Sequence, residues 1–358
     1  MGDERVDGAG LVDWSLAVAT AKRLTPSGPS TTPAEAALMV AELRRLAAES
    51  AGHVERVTQL AVTGPTSPTL VVDRAAWSAA NIAGMRWLTR PLFDALADKR
   101  PPSRLVLGVT SRVAGVQVGT LVSLLSSRVL GQYEPFLADS PTGRLLLVAP
   151  NIAAAERTLK VDSRDFRMWV CLHEQCHRVQ FGAVPWLRGH LEGLVQRLAV
   201  AIDLDPREVA ERLRAAVSGL RDSDVGLVAA LQPPAVRAVV DEIQALMTLL
   251  EGHADWAMDA AGEGVVGGLE EIRASFDARR AKSTSLMDLI LRKVFGLDAK
   301  LAQYREGGAF VRGVVAASGV AGLNTVWESP AALPTRTEIR DPHAWLRRVL
   351  GSAAPLPA

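Results

Sequence analysis

The chain has 358 residues, 48% of them hydrophobic and 22% charged, with 40 basic side chains against 39 acidic ones. That composition is globular rather than disordered, and the length suffices to bury a sizeable core. A net charge of +1 supplies no field for nucleic acid or for anionic lipid, so neither class of partner is expected.

The start, Met1 to Val6, is acidic and lacks the apolar core of a signal peptide. No unbroken apolar run of membrane-spanning length follows; residues 310–323 come nearest, interrupted by Arg312 and several glycines. A soluble, cytoplasmic protein is the expectation.

Residues 11–23 read as a short amphipathic helix anchored by Trp14 and peripheral to the rest. Thr32-Pro33-Ala34-Glu35 is a capping box with proline at the first helical position, and Ala36, Met39, Val40, Leu43, Leu46 and Ala47 then fall on one stripe of a long helix. Leu70-Val71-Val72 is a strand or an extended connection, and 75–97 reads as helix that Pro91 could break. Leu105 to Val109 is a strand or the lead into a helix over 111–130.

After Pro141-Thr142-Gly143, the run Arg144 to Pro150 is the strongest strand pattern in the chain. Its edge could take an extended peptide by main-chain hydrogen bonds, or the strand could be wholly buried. Tyr133, just before it, is a packed phenol by default, although its position allows a site role. Asp162 or Ser163 then caps a helix to about Gln180, Pro185 opens another, and Asp205-Pro206 a polar one to about Gly219. Helices over 235–261, 269–281, 285–295 and 299–317 follow, then a short one capped by Asp341-Pro342 and ending at Gly351. The pattern describes one compact, mainly α domain of α+β type over 1–358, with a small sheet and with residues 1–24 and 352–358 peripheral.

The chemistry concentrates in Trp169-Val170-Cys171-Leu172-His173-Glu174-Gln175-Cys176-His177, an H-E-x-x-H motif on a helix. His173 and His177 stand four apart and share one face, close enough for both imidazoles to hold one metal ion. Glu174 points about 100° away, out of the coordination shell but within reach of a water on the metal's open side. In the helix over 235–261, Glu251 and Asp255 also share a face. Two His and one Glu form a known catalytic zinc set, which makes Glu251 the third ligand and leaves Asp255 to orient a liganding imidazole. His253 is the rival ligand; it lies about 200° from Glu251, so both cannot face one ion. Tyr304 is a candidate donor to the oxyanion formed when water attacks a carbonyl, with Arg305 competing for that role. His190 lies too far along for the H-E-x-x-H-x-x-G-x-x-H spacing and reads as a satisfied histidine.

The two cysteines, Cys171 and Cys176, both sit in the motif helix and point about 140° apart, so no disulfide between them is expected. Buried small residues are their expected role, in a reducing compartment.

H-E-x-x-H followed 74 positions after His177 by Glu251-x-x-Ala254-Asp255 resembles the gluzincin arrangement. More closely, Val12-Asp13-Trp14, the stretches 129–135 and 147–152, Trp169 to Gln180, Glu251 to Asp255 and Asn324 to Trp327 resemble an actinobacterial family of zincin-like metallopeptidases associated with deazaflavin coenzyme biosynthesis. The resemblance implies a zincin-like fold and a zinc hydrolase. It supplies no coenzyme-binding residue, and it departs at Gln175 and Cys176, where an acid and a Thr are more usual.

The leading expectation is therefore a zinc peptidase in which Glu174 is the general base, acting on a peptide or a small amide. A zinc-stabilised scaffold without catalysis is the rival from another class, and hydrolysis of a small amide in deazaflavin coenzyme metabolism is a third reading.

Overall fold

The computed structural model of the chain describes residues 10–99, 104–137, 140, 142–201, 234–282 and 297–351. The expected polar helix from 205, the connection after it, the expected helix over 285–295 and the 352–358 tail lie outside the described residues.

Helix α1 (Trp14–Leu24) is capped by Asp13, whose Oδ1 accepts from the Leu16 N–H at 2.9 Å. Its Ala17 and Ala21 are fully buried. They pack on α4 (Arg104–Ser126), where a Cβ on Gly115 or Gly119 would stand 2.4 Å from the Asp13 or Ala17 carbonyl oxygen. Small residues at that crossing are what let the two backbones close.

The α2 helix (Pro33–Thr58) carries the anticipated capping box: the Thr32 N–H donates to Glu35 Oε2 at 2.8 Å, and the Glu35 N–H to Thr32 Oγ1 at 3.2 Å. β1 (Thr69–Val72) resolves the first ambiguity as a strand, and α3 (Arg74–Lys99) runs through Pro91. Residues 105–109 belong to α4, which settles the second ambiguity as helix.

Among the described residues the strands form one three-stranded sheet ordered β1-β3-β2, with β2 over Gly131–Glu134 and β3 over Arg144–Val148. β3 pairs parallel to β1, Leu145 opposite Thr69, and antiparallel to β2, Leu147 opposite Gly131. Both its edges are consumed and Leu145 to Val148 are buried, so the proposed peptide-binding edge at Leu145 to Ala149 is overturned. Among the described residues the outer edges belong to β1 and β2; β2 is a four-residue strand between a glycine start and Pro135, too short for a periodic signal. The Val148 N–H donates to the Leu130 carbonyl at 2.8 Å. Alternation along an antiparallel ladder then turns the main-chain groups of Gln132 and Glu134 toward β3 and those of Gly131 and Tyr133 outward.

α5 (Ala149–Leu159) leaves β3 directly, and Asn151 at its start ties the sheet to its surroundings. Its Nδ2 donates to the Ser126 and Val129 carbonyls at 2.7 and 2.6 Å, and its Oδ1 accepts from Arg74 Nε at 2.6 Å. The motif helix α6 (Ser163–Ala183) runs through the middle of the fold. One core surrounds it, with Leu43 and Ala47 from α2, Leu147 from β3, and Ala254 and Met258 from α8 (Pro234–Gly262). A second core joins α7 (Leu187–Ala201), α8, α10 (Leu297–Asn324) and α12 (Pro342–Leu350) around Leu249, Phe310 and Trp345. Helices α9 (Leu269–Lys282) and α11 (Arg336–Arg340) complete the chain order.

Two helical stretches, Gly108–Ser126 and Glu306–Trp327, are long and apolar enough by length and composition to cross a membrane, with mean hydropathy 1.2 and 1.3. A search for unbroken apolar runs passes over them because Arg112 and Arg312 interrupt them. Both are packed into neighbouring helices through glycine: α4 on α1 as above, and α10 on α8. A Cβ on Gly252 would stand 2.1 Å from the Gly307 carbonyl carbon, and one on Gly307 2.1 Å from the Thr248 oxygen.

Candidate metal centre

α6 begins where the Asp165 N–H donates to Asp162 Oδ1 at 2.9 Å, as the sequence predicts. Its inner side is spent on packing. Cys171 and Cys176 are buried free thiols whose pKa burial pushes upward, and Cys176 Sγ donates to the Leu172 carbonyl at 3.1 Å. Gln175 is wholly buried and donates to the Ala47 carbonyl of α2. The two positions where the chain departs from the resembled pattern thus serve the interior.

The other side of α6 carries His173 and His177, with ring centroids 5.0 Å apart and planes at 90°. Across from them α8 presents Glu251, held in place by the Gly252–Gly307 crossing one residue on. Glu251 Oε2 lies 3.6 Å from His177 Nε2 and 3.9 Å from His173 Nε2. All three ligand atoms lie within 4.8 Å of one another. Tetrahedral zinc with bonds of about 2.0–2.1 Å holds its ligand atoms roughly 3.3 Å apart, so this donor set fits such an ion after a small inward movement. Burial alone would depress the His177 imidazole, but the hydrogen bond and charge of Glu251 outweigh it and push its pKa up to about 9. In the metal-free site that raised pKa corresponds to a proton held between His177 and Glu251, in the place a cation would take.

Behind His177, Gln180 supplies the orienting contact. Its Nε2 donates to the Leu250 carbonyl at 2.8 Å, which fixes the amide's orientation because a carbonyl can only accept. Gln180 Oε1 therefore faces His177 Nδ1 at 3.0 Å, which keeps a ring proton on Nδ1 and leaves Nε2 as the nitrogen turned to Glu251 and available to an ion once its own proton is lost. The same Nε2 contacts His253 Nδ1 at 3.0 Å. His253 is fully buried, and burial together with the nearby His177 charge pushes its pKa down to about 3, so it is neutral. With Nδ1 accepting, its proton sits on Nε2; that atom has no hydrogen-bond partner, and the ring meets Trp327 edge-on at 5.3 Å. His253 is thus a strut and stands outside the ligand group.

Asp255 requires a correction. It was assigned to orient a liganding imidazole, but Oδ1 accepts from Arg273 at 2.9 Å and Oδ2 from Arg312 at 3.3 Å. Those cations, from α9 and α10, occupy both its oxygens. Gln180 carries the orienting role; its place on the site face of the motif helix was legible, its function was not. Tyr304 and Arg305 fall in α10, but their side chains lie outside the described residues. His190 meets Trp186 edge-on at 5.7 Å, apart from the ligand group.

Glu174 is buried at 6% exposure and packs on β2: a Cβ on Gly131 would stand 2.6 Å from Glu174 Cγ and 2.9 Å from Oε1. Only glycine lets strand and carboxylate approach so closely. His173, Glu174, His177 and Glu251 all line a cavity of about 460 Å³ between α3, the free edge of β2, α6 and α8. Tyr133 lines it too, but its hydroxyl donates to the Thr142 carbonyl at 2.6 Å and its ring packs on Phe181.

A family model described as zincin-like metallopeptidase matches residues 12–346. A solved structure from Chloroflexus aurantiacus, described as a candidate hydrolase with a novel fold, is 32% identical. The match covers 96% of this chain and 100% of that one, with a TM-score of 0.69. Among curated proteins none matches.

Proposed function

The chain belongs to the zincin-like metallopeptidase family, and on that premise we propose that it is a zinc-dependent hydrolase of peptide or small-amide bonds. The observation that carries the reading is the convergence of Glu251 on both imidazoles, 3.6 and 3.9 Å from their Nε2 atoms, across 74 residues of chain.

His173, His177 and Glu251 would hold the ion, leaving a fourth position open. Zinc bound there would supply polarisation of the scissile carbonyl and would lower the pKa of a water toward about 7. Glu174, in the same cavity and outside the ligand group, would take that water's proton and return it to the leaving amine. Gln180 keeps His177 in the tautomer that offers Nε2. The outward N–H and C=O groups of Gly131 and Tyr133 give an extended substrate a strand edge to pair with. A cavity of about 460 Å³ suits a short peptide or a small amide, within the range of roughly 300–1,000 Å³ common for small-ligand sites. The small-amide form of the reading extends to deazaflavin coenzyme metabolism. Two free, buried cysteines accord with a reducing, cytoplasmic setting.

The test is cleavage of a fluorogenic short-peptide panel by protein loaded with zinc and then treated with chelator. Turnover lost on chelation and restored by zinc is expected. Metal-dependent stability with no cleavage of any member would sink the hydrolase reading and leave a zinc-stabilised scaffold.

A further inference from the structure

The proposed hydrolysis leaves one charged side chain of the cavity without a task. Glu134 closes strand β2, is only 4% exposed, and lines the same cavity as His173, Glu174 and His177. Its Oε2 accepts from Arg144 Nε at 2.7 Å, whereas its buried Oε1 has no hydrogen-bond partner. Leaving a carboxylate oxygen buried and unmatched is costly, which marks the atom as one that a ligand completes. Burial holds the Glu134 carboxyl above the usual carboxylate range in spite of Arg144.

The surroundings narrow what that ligand is. Gly84 of α3 makes room beside Oε1: a Cβ there would stand 3.0 Å from it. The walls nearby are apolar, with Met85, Leu88, Phe136, Leu191 and Met247 lining the same space. A substrate's amide groups are matched by the outward main chain of Gly131 and Tyr133, so Glu134 is left for a group at the substrate's end. Three residues of strand, about 10 Å, separate it from Gly131, and the two positions face opposite sides of β2, Glu134 toward Gly84 of α3 and Gly131 toward Glu174. The cavity that both line passes around the β2 edge, so a group held at Glu134 reaches the bond presented to Glu174 around that edge. A charged donor forms a hydrogen bond to carboxylate roughly twice as strong as a neutral one, and Arg144, itself partly exposed, already occupies the other oxygen.

Resting on the hydrolase reading for the position of the reacting bond, we propose that Glu134 Oε1 receives the protonated amine of the substrate. The cavity would then select short substrates with a free ammonium group and apolar side chains.

The test reads binding, so that it does not depend on turnover. Zinc-loaded Glu174→Gln protein is titrated calorimetrically with leucyl-leucine amide and with its N-acetylated twin. The free amine should bind about ten-fold tighter or more, and Glu134→Gln added to this background should erase the difference while leaving the acetylated peptide's affinity within about two-fold. Should Glu134→Gln fail to fold, Gly84→Ala keeps the Glu134–Arg144 pair, crowds Oε1, and should blunt the same preference. Equal or tighter binding of the acetylated peptide, a preference that survives Glu134→Gln, or no binding of either peptide at millimolar concentration would each overturn the proposal. Absence of cleavage by the wild-type protein would sink the hydrolase reading alone and leave this result standing.

Discussion

Gln180 holds His177 from one turn further along the same helix, its Oε1 3.0 Å from the imidazole Nδ1. The pair is local, but its anchor is not: the Gln180 amide is pinned by the Leu250 carbonyl, one residue before Glu251. One side chain thus links the two helices that carry the candidate ligands and sets the tautomer of one of them.

Replacing Gln180 by Leu should remove the acceptor for the His177 Nδ1 proton and the donor to Leu250 together. Loss of such an orienting partner typically weakens metal binding by about 10–100-fold. Competition with a chelator of known affinity measures this; zinc binding unchanged within error would show that Gln180 does not act on the ligand.

Gly131→Ala tests the seat of the general base. The added Cβ would meet Glu174 Cγ at 2.6 Å, so strand or carboxylate must shift. Misplacement of a reacting group by about 1 Å can cost a hundred-fold in rate. Turnover should fall on that order while zinc content stays at the wild-type level, because the atoms nearest the added Cβ all belong to Glu174.

The pH dependence follows from His177. Its folded pKa of about 9 lies above the ordinary value of 6.5. In metal-free protein the shared proton therefore contributes stability that is full below about 6.5 and is lost as pH rises through about 9. Zinc must displace that proton, so affinity should climb with pH by about ten-fold per unit and level off above about 9. Titrations at pH 6, 7, 8 and 9 give the slope; a flat profile would contradict the shared proton.

Gly252→Ala should damage the scaffold that presents Glu251. The backbones of α8 and α10 meet at Gly252 and Gly307 with no room for a methyl group. Overpacking of this kind costs about 1–3 kcal/mol or more. A lowered Tm together with weaker zinc binding is expected, whereas the same change at Gly189, where a Cβ meets nothing within 4 Å, should leave both unaltered.

How much of this could be read beforehand depends on the range of the signal. Helix starts with short-range chemistry were legible: the Thr32–Glu35 capping box and the Asp162 cap both formed as expected. The pair His173 and His177 was legible from helical periodicity, and Glu251 from its acidic spacing on a second apolar helix. What failed were judgements that need a neighbour in space. Asp255 has the right spacing to orient an imidazole, but Arg273 and Arg312, 18 and 57 residues further on, claim its oxygens. β2 escaped notice because four residues beginning with glycine carry little pattern, and with it went the identity of the sheet edge that lines the cavity. Glu134 lay within the resembling stretch 129–135, but its unmatched oxygen was not legible, since only burial shows that it lacks a donor.

The central claim is that His173, His177 and Glu251 grip one ion. It is tested most directly by elemental analysis of purified protein, wild type beside His177→Ala and Glu251→Ala, each checked for retained helical content. One zinc per chain in the wild type and less than a tenth of that in both folded variants is the predicted result, given that each lost ligand typically removes more than an orienting contact's 10–100-fold. Stoichiometric zinc persisting in either folded variant, or none in the wild type after incubation with zinc, would contradict it.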